Sequence, residues 1–211
     1  YQKESGKIAF ASEMKSLLGL CDKITPFPPG YVYDDGKFVQ YYDVTKTHEK
    51  LLDDKEGLVA IKEKLIKGVE KRMVMSDVPV GFLLSGGLDS SLVCSIAAQM
   101  SDKPLRTFSI GMSLDSIDSK YAKLVAEHIG SDHTDVLMSV EDVLGAVRDV
   151  VYYLESYDIT TVRASVGMYL LTKYIHEETD IKVLLSGEIS DELFGYKYTD
   201  FAPSSEAFQK E

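Results

Sequence analysis

Val78-Pro79-Val80-Gly81-Phe82-Leu83-Leu84-Ser85-Gly86-Gly87-Leu88-Asp89-Ser90-Ser91 reads as a buried strand, a glycine turn and the first turn of a helix. The apolar run Val80 to Leu84 has the length of a strand covered on both faces, as in parallel sheets. Gly86 and Gly87 allow positive φ and put no Cβ in the way of a ligand. Leu92, Val93, Ile96, Ala97 and Met100 then recur at helical spacing and predict one apolar face. Such a turn aims backbone N–H groups at one spot beside a helix N-terminus, an arrangement suited to phosphate. Ser85, Ser90 and Ser91 add hydroxyl donors. Asp89 adds a carboxylate, which sits badly beside phosphate unless Mg²⁺ lies between them.

The run lacks the Lys-Ser/Thr pair of a Walker loop. It resembles instead the Ser-Gly-Gly-x-Asp-Ser pyrophosphate loop of ATP pyrophosphatases. Those enzymes cleave ATP between its α and β phosphates and transfer AMP to an oxygen. A tight strand-to-helix turn with serine caps is the plainer account of the same residues.

Outward from this stretch, the 211 residues suffice for one large domain or one and a part. Apolar content of 45% and charged content of 27% are those of an ordinary globular protein. No apolar run approaches the roughly 20 residues that span a bilayer, so no membrane partner is expected. The net charge of −11 argues against a broad nucleic-acid-binding face. Cys21 and Cys94 form no disulfide framework and suit a reducing, cytoplasmic setting. Cys94 reads as a small core residue. The four histidines show no zinc spacing. The chain begins with Tyr1, which reads as a processed form or a fragment.

The first part of the chain reads as β structure: a strand over 7–12, a short helix over 13–20, and a hairpin over 31–42. Asp35-Gly36 between two aromatic, β-branched runs is a strong hairpin signal. Residues 46–56 are polar and read as a linker. Leu58, Ile61, Leu65, Val69 and Met73 then predict an amphipathic helix of about five turns.

Past the central loop, strands and helices alternate. Leu105 to Ile110 is a strand ending at Gly111. Asp118 or Ser119 caps a helix carrying Tyr121, Leu124, Val125 and Ile129, and Gly130 stops it. His133 to Leu137 is a third strand. Ser139 and Asp142 form a capping box for a helix with the stripe Val143, Val147, Val150, Leu154. A helix over 163–178 and a strand over 181–185 follow. This alternation predicts an α/β fold, a parallel sheet with helices on both faces. Ligands of such sheets lie beyond the carboxyl ends of the strands.

The fourth strand runs into Ser186-Gly187-Glu188-Ile189-Ser190-Asp191-Glu192, again a strand, a Ser-Gly turn and a helix start. Its carboxylates are either caps favoured by the helix dipole or metal and proton-transfer groups facing the first turn. Arg163, following Thr160-Thr161, sits in the expected first turn of its helix, where a cation is unfavourable unless it faces an anion. Thr160 and Thr161 are the expected caps.

Taken together, the chain resembles glutamine-hydrolysing asparagine synthetase. The matching blocks are 10–15, 75–79, Leu83 to Ser91, Tyr157 to Ser165, and Ser186-Gly187-Glu188, in family order. The resemblance implies an adenine nucleotide alpha-hydrolase-like domain, truncated, over 57–211. It implies that residues 1–45 are the C-terminal edge of an N-terminal nucleophile glutaminase domain. It implies ATP and Mg²⁺ as cofactors. Aspartate and glutamine-derived ammonia would be its small-molecule partners, and a homodimer its assembly. Leu84, Ile110, Ser186 and Gly187 would contact ATP. Ser85, Gly86, Gly87, Asp89, Ser90 and Ser91 would hold its pyrophosphate, with Asp89 and Asp191 on the metal. Glu188 and Arg163 would be catalytic.

Two features depart from the family pattern. Ile189 replaces a glycine, and a branched residue resists positive φ, so a reshaped turn is expected. Gly195-Tyr196 is one residue shorter than the usual Gly-Gly-Tyr, and Lys197 to Phe201 also differ. These departures leave open a nucleotide-binding homologue without turnover. A β-lactam synthetase-like ligase is the other alternative.

Overall fold

The computed structural model describes residues 2–4, 7–43, 46, 53–113, 115–195, 201–204 and 206–207. Backbone contacts divide the chain into two units, 1–51 with 209–211, and 52–208.

In the first unit, β1 (Gln2–Glu4) pairs antiparallel with β2 (Lys7–Ala9), and β3 (Tyr31–Asp34) with β4 (Lys37–Gln40). The expected hairpin is present. Asp35 and Gly36 both take positive φ, 42° and 77°, as a type I′ turn demands. The strand expected over 7–12 stops at Ala9, and the expected helix is only a 3₁₀ turn over Met14–Leu17. Phe10, Phe27, Phe38 and Tyr33 close a ring of tilted and edge-on contacts with centroids 5.1 to 5.8 Å apart.

The second unit alternates as expected. Its elements are α1 (Asp54–Val74), β5 (Val80–Leu83), α2 (Leu88–Met100), β6 (Arg106–Gly111) and α3 (Ile117–Ile129). They continue with β7 (Asp132–Leu137), α4 (Val140–Leu154), α5 (Ile159–Glu178), β8 (Val183–Leu185) and α6 (Ser190–Phe194). The sheet is wholly parallel, in the order β7-β6-β5-β8. The chain steps from β5 outward to β7, then returns to place β8 on the other side of β5. That reversal opens a crevice at the carboxyl ends of β5 and β8.

Period-two alternation decides which side chain meets which helix. Phe82 and Leu84 face the cluster built with Val69 of α1, Cys94 and Ala97 of α2, and Ala122 and Ala126 of α3. Leu83, Phe108 and Ile110 face Leu171 and Ile175 of α5. Helix α4 packs on α5 through Ala146, Val150, Val162 and Val166. The capping box of Ser139 and Asp142 forms as expected. Among the described residues no helix is long and apolar enough to cross a membrane.

Several helix faces differ from the periodicity. Leu58 and Ile61 of α1 are exposed; of that stripe Leu65, Val69 and Met73 reach the core, and Ile66 joins them. In α2 the buried face is Cys94, Ile96 and Ala97, while Leu92 and Met100 are exposed. Helix α3 is capped by Ser116 rather than Asp118 or Ser119, and it buries Ser119, Ala122 and Ala126 instead of Tyr121 and Leu124. Small residues win there because the helix lies close against the sheet and the first turn. In α4, Val147 and Leu154 lie at the edge of exposure while Ala146 is buried. Helix α5 begins at Ile159 and is capped by Asp158, whose carboxylate accepts from the Thr161 amide at 2.8 Å. Thr160 and Thr161 therefore lie inside the helix.

Phe82 is 2% exposed on the central strand. Phe82→Ala is expected to lower unfolding free energy by about 3–5 kcal/mol, the scale for an emptied aromatic core position. Urea denaturation followed by far-UV circular dichroism checks it.

Candidate functional site

Strand β5 delivers Leu84, whose amide bonds to the Phe108 carbonyl at 2.8 Å. The chain then turns. Gly86 takes φ 80°, and a Cβ there would lie 2.4 Å from the Ala122 amide nitrogen. Both the turn and the approach of α3 therefore require glycine. Gly87 differs from expectation, since its backbone is extended at φ −69° and it stands as the N-cap of α2. With no side chain, it leaves the first amides of α2 uncapped and available to an anion. The Ser85 and Ser90 hydroxyls bond each other at 3.0 Å and bracket the turn. The Gly87 amide donates to Ser85 Oγ and the Ser90 hydroxyl to the Gly87 carbonyl. Ser91 Oγ is buried with no hydrogen-bond partner among the described residues, so a bound polar atom would satisfy it.

The second turn leaves β8 and comes to the same edge. A Cβ on Gly187 would lie 2.5 Å from the Ser90 nitrogen and 3.0 Å from Asp89 Cβ. Glycine alone permits that approach, so Gly187 meets Asp89 and Ser90 directly. Ser186 Oγ accepts from the Glu188 amide at 3.4 Å, and the Ser190 hydroxyl donates to the Gly187 carbonyl at 3.1 Å. Glu188 and Asp191 are exposed beside the crevice. The expectation for Ile189 is overturned. The turn keeps its glycine-like course, and Ile189 itself takes φ 78° as the N-cap of the five-residue α6. A β-branched residue is strained there. The Tyr196 and 197–200 departures lie outside the described residues.

Ile110 lies at the carboxyl end of β6, against α5, with its Cγ2 3.8 Å from where a Cβ on Gly167 would be. Arg163 stands one helical turn before Gly167, on the same face and nearer the carboxyl edge. It is the fifth residue of α5 and not in its first turn, so the dipole argument for an anionic partner weakens. Arg163 is exposed and forms no ion pair with a described residue. A cleft of about 1180 Å³ opens beside Glu188 between α1 and β8, with Lys64, Lys71 and Arg72 on its α1 wall.

A family model for asparagine synthase matches residues 60–210. The chain belongs to the asparagine synthase family. It is 42% identical to a probable glutamine-hydrolyzing asparagine synthetase of Schizosaccharomyces pombe, over 96% of this chain and 40% of that protein. It is also 42% identical to the asparagine synthetase of Pongo abelii, over 99% of this chain and 43% of that protein. The chain thus spans about two fifths of the length of the curated relatives it matches. Among solved structures, an NH3-dependent NAD synthetase from Campylobacter jejuni overlays with a TM-score of 0.46 at 16% identity, covering 64% of this chain and 58% of that one.

One cluster escaped the sequence reading. Thr107 and Ser109 on β6 pair with His133 and Asp135 on β7, and their side chains form a polar seam beneath α3. Polar residues at period two, Thr107 and Ser109 on β6 and His133 and Asp135 on β7, were the available signal. Burial holds the His133 imidazole below its ordinary value of 6.5, against the opposing pull of Asp135.

Gly187→Ala is expected to lower stability by about 1–3 kcal/mol through overpacking against Ser90. Gly87→Ala, whose Cβ would meet only Ser85 Oγ at 3.4 Å, should cost less. Paired urea titrations distinguish the two. For His133 the sign follows from its lowered value. As pH falls below 6.5 the unfolded imidazole takes up a proton before the folded one, so folded stability is lost. His133→Asn should flatten the dependence of melting temperature on pH between about 7 and 5.5.

Proposed function

We propose that this chain carries the nucleotide-binding part of an ATP-dependent amidoligase. That enzyme adenylates the side-chain carboxylate of aspartate and transfers glutamine-derived ammonia to it, giving asparagine, AMP and pyrophosphate. The observation that carries this reading is the direct approach of Gly187 to Asp89 and Ser90. It brings an anion-binding turn and a carboxylate-bearing turn to one crevice at the switch point of a parallel sheet.

In this reading Ser85, Gly86, Gly87, Ser90 and Ser91 hold the pyrophosphate through the uncapped amides of α2 and their hydroxyls. Leu84, whose side chain is buried, would contact ATP through its backbone at the end of β5, Ile110 would contact it from the end of β6, and Ser186 and Gly187 would contact it from β8. Asp89 is exposed at the anion site and forms no hydrogen bond or ion pair with another described side chain. A carboxylate so placed fits Mg²⁺, which would neutralise charge on the phosphates; Asp191 is the second candidate ligand. A carboxylate oxygen of aspartate attacks the α phosphorus, the bond to the β phosphate breaks, and pyrophosphate leaves with the electron pair. Ammonia then attacks the acyl carbon and AMP departs. Glu188, at the mouth of the cleft, orients the acceptor carboxylate and takes a proton from the attacking amine. Arg163 stabilises charge at the same edge. Lys64, Lys71 and Arg72 suit an acidic acceptor.

Residues 1–45 are proposed as the edge of the glutaminase domain, 46–56 as a linker and 57–211 as part of the synthetase domain. The boundary between the two contact units lies inside that linker. A homologue without turnover is less favoured, because Ile189 preserves the left-handed turn that a glycine would make.

The whole protein should release AMP and pyrophosphate from ATP only when aspartate is present. A β-lactam synthetase-like ligase would answer to a different carboxylate in a substrate panel. Glu188→Gln should leave ATP affinity within a few-fold yet cut ATP–pyrophosphate exchange roughly 10²-fold, the scale of a lost acid–base group. Exchange at the parent rate would make Glu188 no more than a helix cap. Asp89→Asn should weaken nucleotide binding only when Mg²⁺ is supplied.

A further inference from the structure

The polar seam of β6 and β7 has a direction that its hydrogen bonds dictate. The Ser109 hydroxyl donates its single proton to Asp135 Oδ1 at 2.7 Å, since a carboxylate only accepts. At His133 Nε2, 3.2 Å away, Ser109 must therefore accept, so the proton of the neutral imidazole is on Nε2. His133 Nδ1 then accepts from Thr107 at 2.9 Å, and Thr107 accepts from Ser131 at 2.9 Å. On the far side of Asp135, the Ser119 hydroxyl is shared between the same oxygen at 3.3 Å and the Ser113 carbonyl at 3.4 Å, and Ser116 donates to Ser119 at 2.8 Å. Every donor in this chain has an acceptor. Thr107, Ser109 and Ser119 are buried, and loss of the Asp135 carboxylate would take from Ser109 its acceptor inside the protein.

The first two turns of α3 bear on the site. A Cβ on Gly111, just after Ile110, would lie 3.0 Å from Ser119 Oγ and 3.2 Å from Ser116 Oγ. One turn further along α3, the backbone at Tyr121 and Ala122 lies against Gly86. Asp135 thus ties the start of α3 to the sheet, and that start supports both the Gly86 turn and the segment leaving β6.

We propose that Asp135 and His133, acting through Ser109 and Ser119, are positioning residues for the nucleotide site. They hold the first turn of α3 so that the Gly86 turn and the end of β6 stay at the spacing a bound nucleotide needs. This rests on the nucleotide-binding reading of those two elements. Neither residue touches the nucleotide.

The test uses the whole protein with Asp135→Ala and Asp135→Asn. Asn keeps an oxygen where Ser109 and Ser119 donate, whereas Ala removes it. Asp135→Ala should raise the KM for ATP about tenfold, the scale of one orphaned buried group, with kcat within about threefold. Asp135→Asn should restore most of the loss. Amides over 111–119 should exchange hydrogen faster in the Ala variant even without ATP. A lowered melting temperature with unchanged KM and unchanged exchange over 111–119 would reduce the seam to a stability element and overturn the proposal. If Asp135→Ala does not fold, Ser119→Ala removes one donor and carries the same expectation for KM and exchange. A parent protein that binds no ATP would overturn the nucleotide-site reading and this proposal with it. A parent that binds ATP, with variants that bind it equally well, would overturn this proposal alone.

Discussion

Gly187 lies so close to the backbone of Asp89 and Ser90 that no side chain fits between them. The rest of the second unit serves that contact. It requires β8 to pair directly with β5, which in turn requires the chain to cross back after β7. It requires both turns to leave the sheet at the carboxyl edge, which parallel pairing ensures. Two short Ser-Gly turns, 101 residues apart by position from Ser85 to Ser186, thereby become one surface.

The electrostatics of that surface follow from the backbone. A glycine N-cap leaves the amides of α2 without a side-chain acceptor, so the first turn is electropositive although it carries no cation. The second turn brings carboxylates on α6 and at Glu188. Opposed partial charges at short range suit a ligand with an anionic end and a reacting end. Ile189 fits the same logic. Its left-handed backbone is strained for a branched residue, and that course is the one that turns Ser190 and Asp191 into a helix directly after Glu188.

Support for the first turn comes from a different quarter of the molecule. Helix α3 can approach Gly86 because its inward face is Ser119, Ala122 and Ala126, with no bulky side chain to hold it off. Its hydroxyl face then reaches the polar seam through Asp135. Small residues and hydroxyls here have a common purpose, which is close helix–sheet approach with every buried polar group satisfied.

The sequence by itself determined the element types, the parallel sheet, the hairpin at Asp35-Gly36 and the pair of Ser-Gly turns. Each rests on a local signal: an unbroken apolar strand, a period of 3.6, or a turn whose φ only certain residues tolerate. Tertiary structure decided the rest. It chose Ser119, Ala122 and Ala126 as the buried face of α3 over Tyr121 and Leu124, because distance to the sheet and not hydropathy sets what fits. It moved the start of α5 to Ile159, behind an Asp158 cap, and so took Arg163 out of the first turn. It left Leu58 and Ile61 exposed on an otherwise regular stripe. It also joined Ser109, His133, Asp135 and Ser119 across three elements, a set that local periodicity does not connect because hydrogen bonds between strands depend on register. Gly187 shows both levels at once: its Ser-Gly context was legible, but the need for glycine there comes only from the backbone it meets.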